Sequence, residues 1–307
     1  MADKPNDRRD EATQATIDHP FLKTQLTYDH TQEFAPSYTR ALWKRQHAWI
    51  SGDIGRFKPS SSVRLLDVGC GPAHISESQN EHIDLYFGVD PSFVELSRAK
   101  PLPRRFLAHG IGEYLDYLSD NSFDVVVLVS VLDHCIDWKR TIDRCASILR
   151  PGGLMLVVME NSDQLVSRLR RLFGRPIEHA DHMHYINLDE VLEQLGTGFT
   201  ALKARTFGYG FGLHTITTKI HIPQPVFETL IPVMDSLGSL LLPSAGQVLY
   251  GCYQKKRDGT VRTSQDFLVC PSCKATLTWG ADACWGCGLH MPYQDDILDA
   301  LALLQKA

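Results

Sequence analysis

A chain of 307 residues exceeds the usual span of one domain, about 100 to 200 residues, so a large domain with a small companion is expected. Hydrophobic residues at 43% and charged residues at 22% exclude a fibrous or wholly disordered chain. A formal charge of -5 supplies no global positive field, which argues against nucleic acid as the partner of the surface at large.

In chain order, residues 1 to 33 are polar and follow neither apolar period, so they are expected as a mobile tail. The charges and prolines of MADKPNDRRDEATQATIDHP do not read as a secretory signal, and no segment is long and apolar enough to span a bilayer. A cytoplasmic location is therefore expected. From Phe34 to Phe57, Tyr38, Leu42, His47, Trp49 and Ile50 recur at loosely helical intervals, as in a helix laid across a sheet.

Short apolar runs follow: VRLLDVG at 63 to 69, LYFGVD at 85 to 90, FDVVVLVS at 123 to 130 and LMLVVME at 154 to 160. Strands buried on both faces read this way, so a parallel sheet flanked by helices is expected. Ile142, Cys145, Ala146 and Leu149 form a core-facing helical stripe, which Pro151-Gly152-Gly153 ends. Next, SRLRRLFGRP places Arg168, Arg170, Arg171 and Arg175 in a basic patch. Most such runs are solvated helix faces; the functional alternative is contact with a phosphorylated acceptor or the acidic surface of an acyl carrier protein.

The segment HADHMHYINLDEV holds His179, His182 and His184 in a loop, followed by Asn187 and Glu190 at the spacing of a capping box, with Gly196 ending the helix. The spacing of His182 and His184 carries only a weak metal signal, because no third ligand or carboxylate completes a recognisable metal-site pattern with them, and loop hydrogen bonding is the alternative. Runs at 200 to 210 and 246 to 256 are expected to pair antiparallel at the sheet edge. Between them PVFETLIPVMDSLGSLLLP reads as a helix that Pro232 kinks or splits, within a segment of about 211 to 245 that caps the active site.

Residues 257 to 266 form a polar linker. Of eight cysteines, Cys270, Cys273, Cys284 and Cys287 make two tight pairs, the arithmetic of a closed tetrahedral site for structural zinc. The domain plan is thus an α/β domain over 34 to 256 and a zinc ribbon over 267 to 307.

The chemistry of the large domain rests on one turn. After the first strand, Asp67-Val68-Gly69-Cys70-Gly71-Pro72-Ala73 lets backbone approach a ligand without a Cβ clash. The dinucleotide fingerprint G-x-G-x-x-G would need glycine where His74 stands, so a smaller anionic ligand fits better than a pyrophosphate. Asp90 closes the second strand about 20 residues on, where a carboxylate accepts from ribose hydroxyls.

With DVGCGP, the GVD ending, NSFDVVVLVSVLDH and ILRPGGLMLV in this order, residues 34 to 256 resemble class I S-adenosylmethionine-dependent methyltransferases of the ubiquinone-biosynthesis type. The resemblance implies a Rossmann-like, mostly parallel seven-stranded sheet with helices on both faces. It also implies that Asp67, Gly69 and Gly71 line the methionine end, Asp90 holds the ribose, Ile111 and Gly112 border the adenine, and Ser130 and Val131 close the pocket. Ala73 departs from the family's third glycine, and HGIGEY lacks the acidic residue often found before the adenine contact. The C-terminal segment resembles the small zinc-ribbon activator of RNA- and protein-modifying methyltransferases, though Met291-Pro292-Tyr293 and Asp295-Asp296-Ile297-Leu298 depart from its usual ending.

The expected function is methyl transfer to an O or N atom of a small molecule, glycan, lipid or carrier-bound intermediate. His134, His182 and His184 are the candidate acid-base groups, and for each a satisfied structural histidine is the alternative. Two other readings stay open: an RNA or protein methyltransferase with a built-in activator, or a cofactor-binding scaffold without catalysis.

Overall fold

A computed structural model describes residues 15–16, 18–29, 37–57, 62–78, 83–174, 182–210, 213, 222–257 and 266–306. His179 and Arg175 lie outside the described residues, as does most of the expected tail. The part of the tail that is described contains α1 (Pro20–Leu26), capped by the His19 ring, which accepts from the Phe21 N–H. Leu22 is its one fully buried residue, and it packs on Ile111, Tyr114 and Leu301. So short an apolar pattern, Phe21, Leu22 and Leu26 within a polar stretch, gives no period to read.

The next helix, α2 (Ser37–Phe57), buries Tyr38, Ala41, Leu42, Ile50 and Ile54 against the sheet. There follow β1 (Val63–Val68), α3 (His74–Ser78), β2 (Ile83–Asp90), α4 (Phe93–Leu96), β3 (Arg105–His109), β4 (Phe123–Val129), α5 (Trp138–Ile148) and β5 (Leu149–Glu160). The chain continues through α6 (Leu165–Leu172), α7 (Leu188–Leu195), β6 (Phe199–Phe207), α8 (Gln224–Leu241) and β7 (Val248–Lys255). It ends in β8 (Tyr293–Gln294), β9 (Ile297–Asp299) and α9 (Ala300–Lys306).

The strands form one sheet in the order β6-β7-β5-β4-β1-β2-β3-β9-β8. Neighbours from β5 through β9 pair parallel; β7 runs antiparallel between β5 and β6, as expected for the edge, and β8 antiparallel to β9. The Rossmann-like α/β class is as the sequence implies, but the sheet has nine strands where seven were expected. The two extra strands come from the C-terminal segment. They are too short to carry an apolar pattern of their own.

Successive residues of a buried strand feed opposite layers. Leu65 joins the layer under α2 and α8, with Val125, Val127, Leu156 and Phe227, whereas Leu66 joins Val126, Met155, Ile142 and Val191 under α5 and α7. The second layer runs without a break into Leu268, Leu277, Leu298 and Leu303, so the cysteine-bearing segment shares the core of the large domain.

α8 differs from expectation. Pro232 lies inside a continuous helix, and the Ser236 hydroxyl donates to its carbonyl. The helix is held on α2: the buried Asp235 carboxylate accepts from Arg45 and from the Gly208 and Tyr209 N–H groups, and Lys44 pairs with Glu228. Gln224–Leu241 is thereby braced on α2, and none of its residues is among those lining the cleft described below.

Candidate functional site

The turn after β1 is held by its neighbours. The N–H groups of Gly69 and Cys70 donate to the Val89 carbonyl at the end of β2, and the Gly71 N–H donates to Asp90 Oδ2 at 2.8 Å. The other oxygen of Asp90 accepts from the Ser92 N–H at 2.8 Å. Gly69 and Gly71 have φ of 71° and 50°, which glycine adopts at no steric cost. A Cβ on Gly69 would stand 2.3 Å from Val131 Cγ2, whereas Gly71 faces open space. Ala73 sits at φ 60°, a left-handed conformation that glycine adopts freely and that costs alanine about 1 kcal/mol. The helix after the turn, α3, is a short one.

Asp67 is buried beneath this turn. Its Oδ2 accepts from the Tyr86 hydroxyl at 2.6 Å, while Oδ1 is buried with no hydrogen-bond partner among the described residues. Burial pushes its carboxyl up to about 7, against the Tyr86 hydrogen bond, which lowers it. Ile111 is covered by α1, and Gly112 leaves room for Thr141, since a Cβ there would lie 2.7 Å from Thr141 Cγ2. The absent side chain of Gly112 thus makes space in the core. Glu113, in the HGIGEY stretch, is buried and accepts from the Ile136 N–H at 2.8 Å.

Ser130 ends β4 in a left-handed conformation, φ 52°, and its N–H donates to Val158. A non-glycine residue held there marks a constrained corner. Directly beyond it, Val131 packs over Gly69, and Asp133 enters a cleft of about 750 Å³ counted with its open mouth. Glu160, Ser167, Arg171, His182, His184 and Tyr185 also line it.

The Met183 N–H donates to the Asp133 carbonyl at 2.8 Å, bringing the histidine loop back onto the end of β4. His182 Nε2 comes within 3.5 Å of Asp133 Oδ2 and 4.0 Å of Glu160 Oε2. His184 is occupied differently, its Nε2 lying 3.2 Å from the Ile136 carbonyl. His134 does not line the cleft; its ring stands edge-on to His182 at 5.0 Å and stacks on Phe21 of α1. Donor atoms of Asp133, His134 and His182 lie within 4.8 Å of one another, a set able to hold a metal ion, and Asp133 Oδ1 and His134 Nδ1 are buried without hydrogen-bond partners among the described residues. The set joins His182 to Asp133 and His134, about 50 positions upstream, and leaves out His184; the sequence offers these residues separately, and only the loop contact brings them together.

The expected capping box is present, with Asn187 Oδ1 accepting from the Glu190 N–H at 3.0 Å and Glu190 accepting from the Asn187 N–H at 2.8 Å. In the basic patch, Asp163 accepts from both Arg168 and Arg171 at 2.6 Å. A phosphate or an acidic carrier would have to compete with that carboxylate, whereas Arg170 is exposed.

At the far end of the sheet, Cys270 and Cys287 sulfurs lie 3.6 Å apart and those of Cys273 and Cys284 3.5 Å apart. All four converge within 4.8 Å. No pair is at disulfide distance. A tetrahedron with metal–sulfur bonds of about 2.3 Å has edges of about 3.8 Å, so this spacing fits one closed metal site.

Residues 31–203, more than half of the chain, match the family described as a methyltransferase domain. The ubiquinone biosynthesis O-methyltransferase of Chelativorans sp. is 32% identical over 108 residues, covering 34% of this chain and 43% of that protein. The mitochondrial ubiquinone biosynthesis O-methyltransferase of Rattus norvegicus is 27% identical over 184 residues, covering 54% of this chain and 53% of that protein. The match thus spans about half the length of these curated relatives. A crystal structure from Galdieria sulphuraria, provisionally assigned as a sarcosine dimethylglycine methyltransferase, superposes with a TM-score of 0.51 at 13% identity, covering 71% of this chain and 88% of that one, and shares the fold. With that fold, that glycine turn and that family match, the chain belongs to the methyltransferase domain family.

Proposed function

We propose that this protein transfers the methyl group of S-adenosylmethionine to an oxygen of a small molecule held in the cleft around His182. The observation that carries the reading is the contact of Gly69 with Val131, which sets the glycine turn beside the cleft that begins at Asp133. The residues present fit the nucleoside. Open space over Gly71 admits it, and the unpartnered Asp67 Oδ1 suits a water or ammonium at the amino-acid end. Asp90 would take the ribose hydroxyls while bracing the turn, Ile111 and Gly112 would border the base, and Ser130 and Val131 would close the pocket. The similarity to O-methyltransferases favours oxygen as the atom methylated.

Bound S-adenosylmethionine supplies a methyl group on a positive sulfonium. The chain's own work is to hold the acceptor oxygen in line with that methyl and away from water. With the methyl donor bound, the proton of the acceptor oxygen would pass to the His182 ring, and the carboxylates of Asp133 and Glu160, 3.5 and 4.0 Å from its Nε2, would offset the charge the ring gains. A positioned base of this kind contributes about 10² to 10⁴ in rate. His134 positions His182 through ring contact, and His184 shapes the wall. A second reading is favoured by the unpartnered Asp133 Oδ1 and His134 Nδ1: Asp133, His134 and His182 hold a divalent cation that binds the acceptor oxygen.

At the ribbon, we propose zinc, which would fold the cysteine knuckles and leave no position for chemistry. The division into a tail (1–33), methyltransferase domain (34–256), linker (257–266) and ribbon (267–307) belongs to the same proposal.

The test is release of S-adenosylhomocysteine with phenolic acceptors. His182→Gln is expected to lower kcat at least about 100-fold while leaving S-adenosylhomocysteine affinity unchanged. Unchanged kcat would remove His182 from the reaction. Titration with Mn²⁺ separates the two readings: binding that Asp133→Asn abolishes supports the cation, and no binding leaves the free base.

A further inference from the structure

α6 and α8 turn large apolar side chains outward. On α8, Val226, Leu230, Val233, Leu237, Leu240 and Leu241 recur at helical intervals on the face opposite the buried Phe227, Ile231, Asp235 and Gly238. Leu240 and Leu241 are 79% and 73% exposed, and on α6 Leu172 and the following Phe173 are each 79% exposed. Between Thr229 and Ser244 the only ionisable residue is Asp235, and it points inward to Arg45. A helix face meant for water is not built this way.

The two apolar faces are tied together. The Leu165 N–H, at the start of α6, donates to the Ala245 carbonyl, and Arg168 donates to the Ser244 hydroxyl at 2.8 Å. The end of α8 and the start of α6 are therefore neighbours. The charge on α6 is of one sign: Arg168, Arg170 and Arg171 stand against the single carboxylate of Asp163, in a chain whose net charge is -5. Ser167 and Arg171, on this same helix, line the cleft.

We propose that this face docks on an anionic lipid surface, with the leucines and Phe173 entering the interface and the arginines meeting lipid phosphates. Charge chooses the occupant. Arginines interleaved with protruding leucines match a surface that is negative outside and apolar within, the pattern of interfacial helices. A second copy of the chain would have to set these arginines against identical arginines or reach carboxylates elsewhere on its surface. The position of the cleft adds the functional consequence: an amphipathic acceptor in the lipid interface reaches it alongside Ser167 and Arg171 without crossing open water. The docking itself does not depend on methyl transfer.

The experiment is sedimentation of the full chain with vesicles of phosphatidylglycerol and phosphatidylcholine, and with phosphatidylcholine alone. Binding to the anionic vesicles that weakens with added salt is expected, with little on the neutral ones. Arg170→Glu should weaken it at least about five-fold, the effect of one basic charge at such a surface. Leu172→Glu with Phe173→Glu should abolish it, with thermal melting and S-adenosylhomocysteine binding unchanged as evidence of intact folding. Absence of binding to anionic vesicles at low salt, or binding by the double variant equal to wild type, overturns the proposal. So does a dimer in solution that Leu240→Glu with Leu241→Glu converts to a monomer without any vesicle binding by the parent, which would assign the face to a second copy.

Discussion

The two flanks of the sheet treat exposed apolar surface in opposite ways. Beside β3, Phe87 and Phe106 would face water were it not for Phe267 and Trp279, whose rings pack at 5.0 to 5.7 Å, and for β9, which pairs with β3 from Leu107 to His109. The Ser119 N–H donates to Phe267 and the Val269 N–H to Tyr117, so backbone as well as rings are matched. At the other flank, α8 and α6 leave their leucines uncovered. One flank finds its partner within the chain. The difference teaches that the cysteine segment acts as a structural part of the catalytic sheet, whereas the α6 and α8 face has no counterpart among the described residues.

Breaking the proposed zinc site should have the largest effect. Cys270→Ser, or chelation, removes a site of the kind that contributes about 10 kcal/mol or more to small zinc-folded modules, and should uncover Phe87 and Phe106. Loss of the cooperative melting transition, or a Tm drop beyond 15 °C, is the expected outcome; a wild-type melt in metal-free protein would separate the ribbon from the stability of the sheet. Phe87→Ala comes next, at about 3 to 5 kcal/mol by urea denaturation, because the ring is fully buried and touches both modules.

Asp299→Ala should cost less, about 1 to 2 kcal/mol. Its carboxylate meets His109 Nδ1 at 3.2 Å, while Nε2 of the same ring lies 3.0 Å from the carbonyl of Pro91, next to Asp90. Burial raises the Asp299 carboxyl, but the His109 and Ala302 N–H groups outweigh it and hold the group below its ordinary value. A depressed carboxyl stabilises the fold above its unfolded value, near pH 4, and loses that contribution as pH falls through the folded value. The difference between wild type and Asp299→Ala should therefore be full at pH 7 and shrink below about pH 4. On the open flank, Leu172→Ser should change stability by less than about 0.5 kcal/mol, since the side chain is already in water. A large loss there would mean that the open flank is as internally packed as the closed one.

The local geometry around the candidate site was legible in the sequence because local chemistry sets it. The glycine turn needs positive φ at Gly69 and Gly71, and the Asn187 and Glu190 capping box closes within one helical turn. The four buried strands show as apolar runs. What could not be read depends on distant contacts. RFLAH in β3 is short and opens with a charge, and Ile297–Asp299 becomes a strand only because β3 offers it an edge. Asp133 and His182 lie far apart in the chain and meet through the Met183 backbone bond. At Pro232 the expected split does not occur: the helix runs on through the proline, held on α2 by Asp235 and Glu228.

The central claim, that the glycine turn and Asp90 hold one sulfonium nucleoside, is most directly tested by calorimetric titration of the zinc-loaded full chain with S-adenosylhomocysteine. Saturable binding is predicted, weakened in Asp90→Ala by about 1.5 to 3 kcal/mol, or roughly 10- to 150-fold, while the melting transition stays cooperative. A folded wild-type protein that releases no heat, or an Asp90→Ala variant that binds as tightly as its parent, would contradict it.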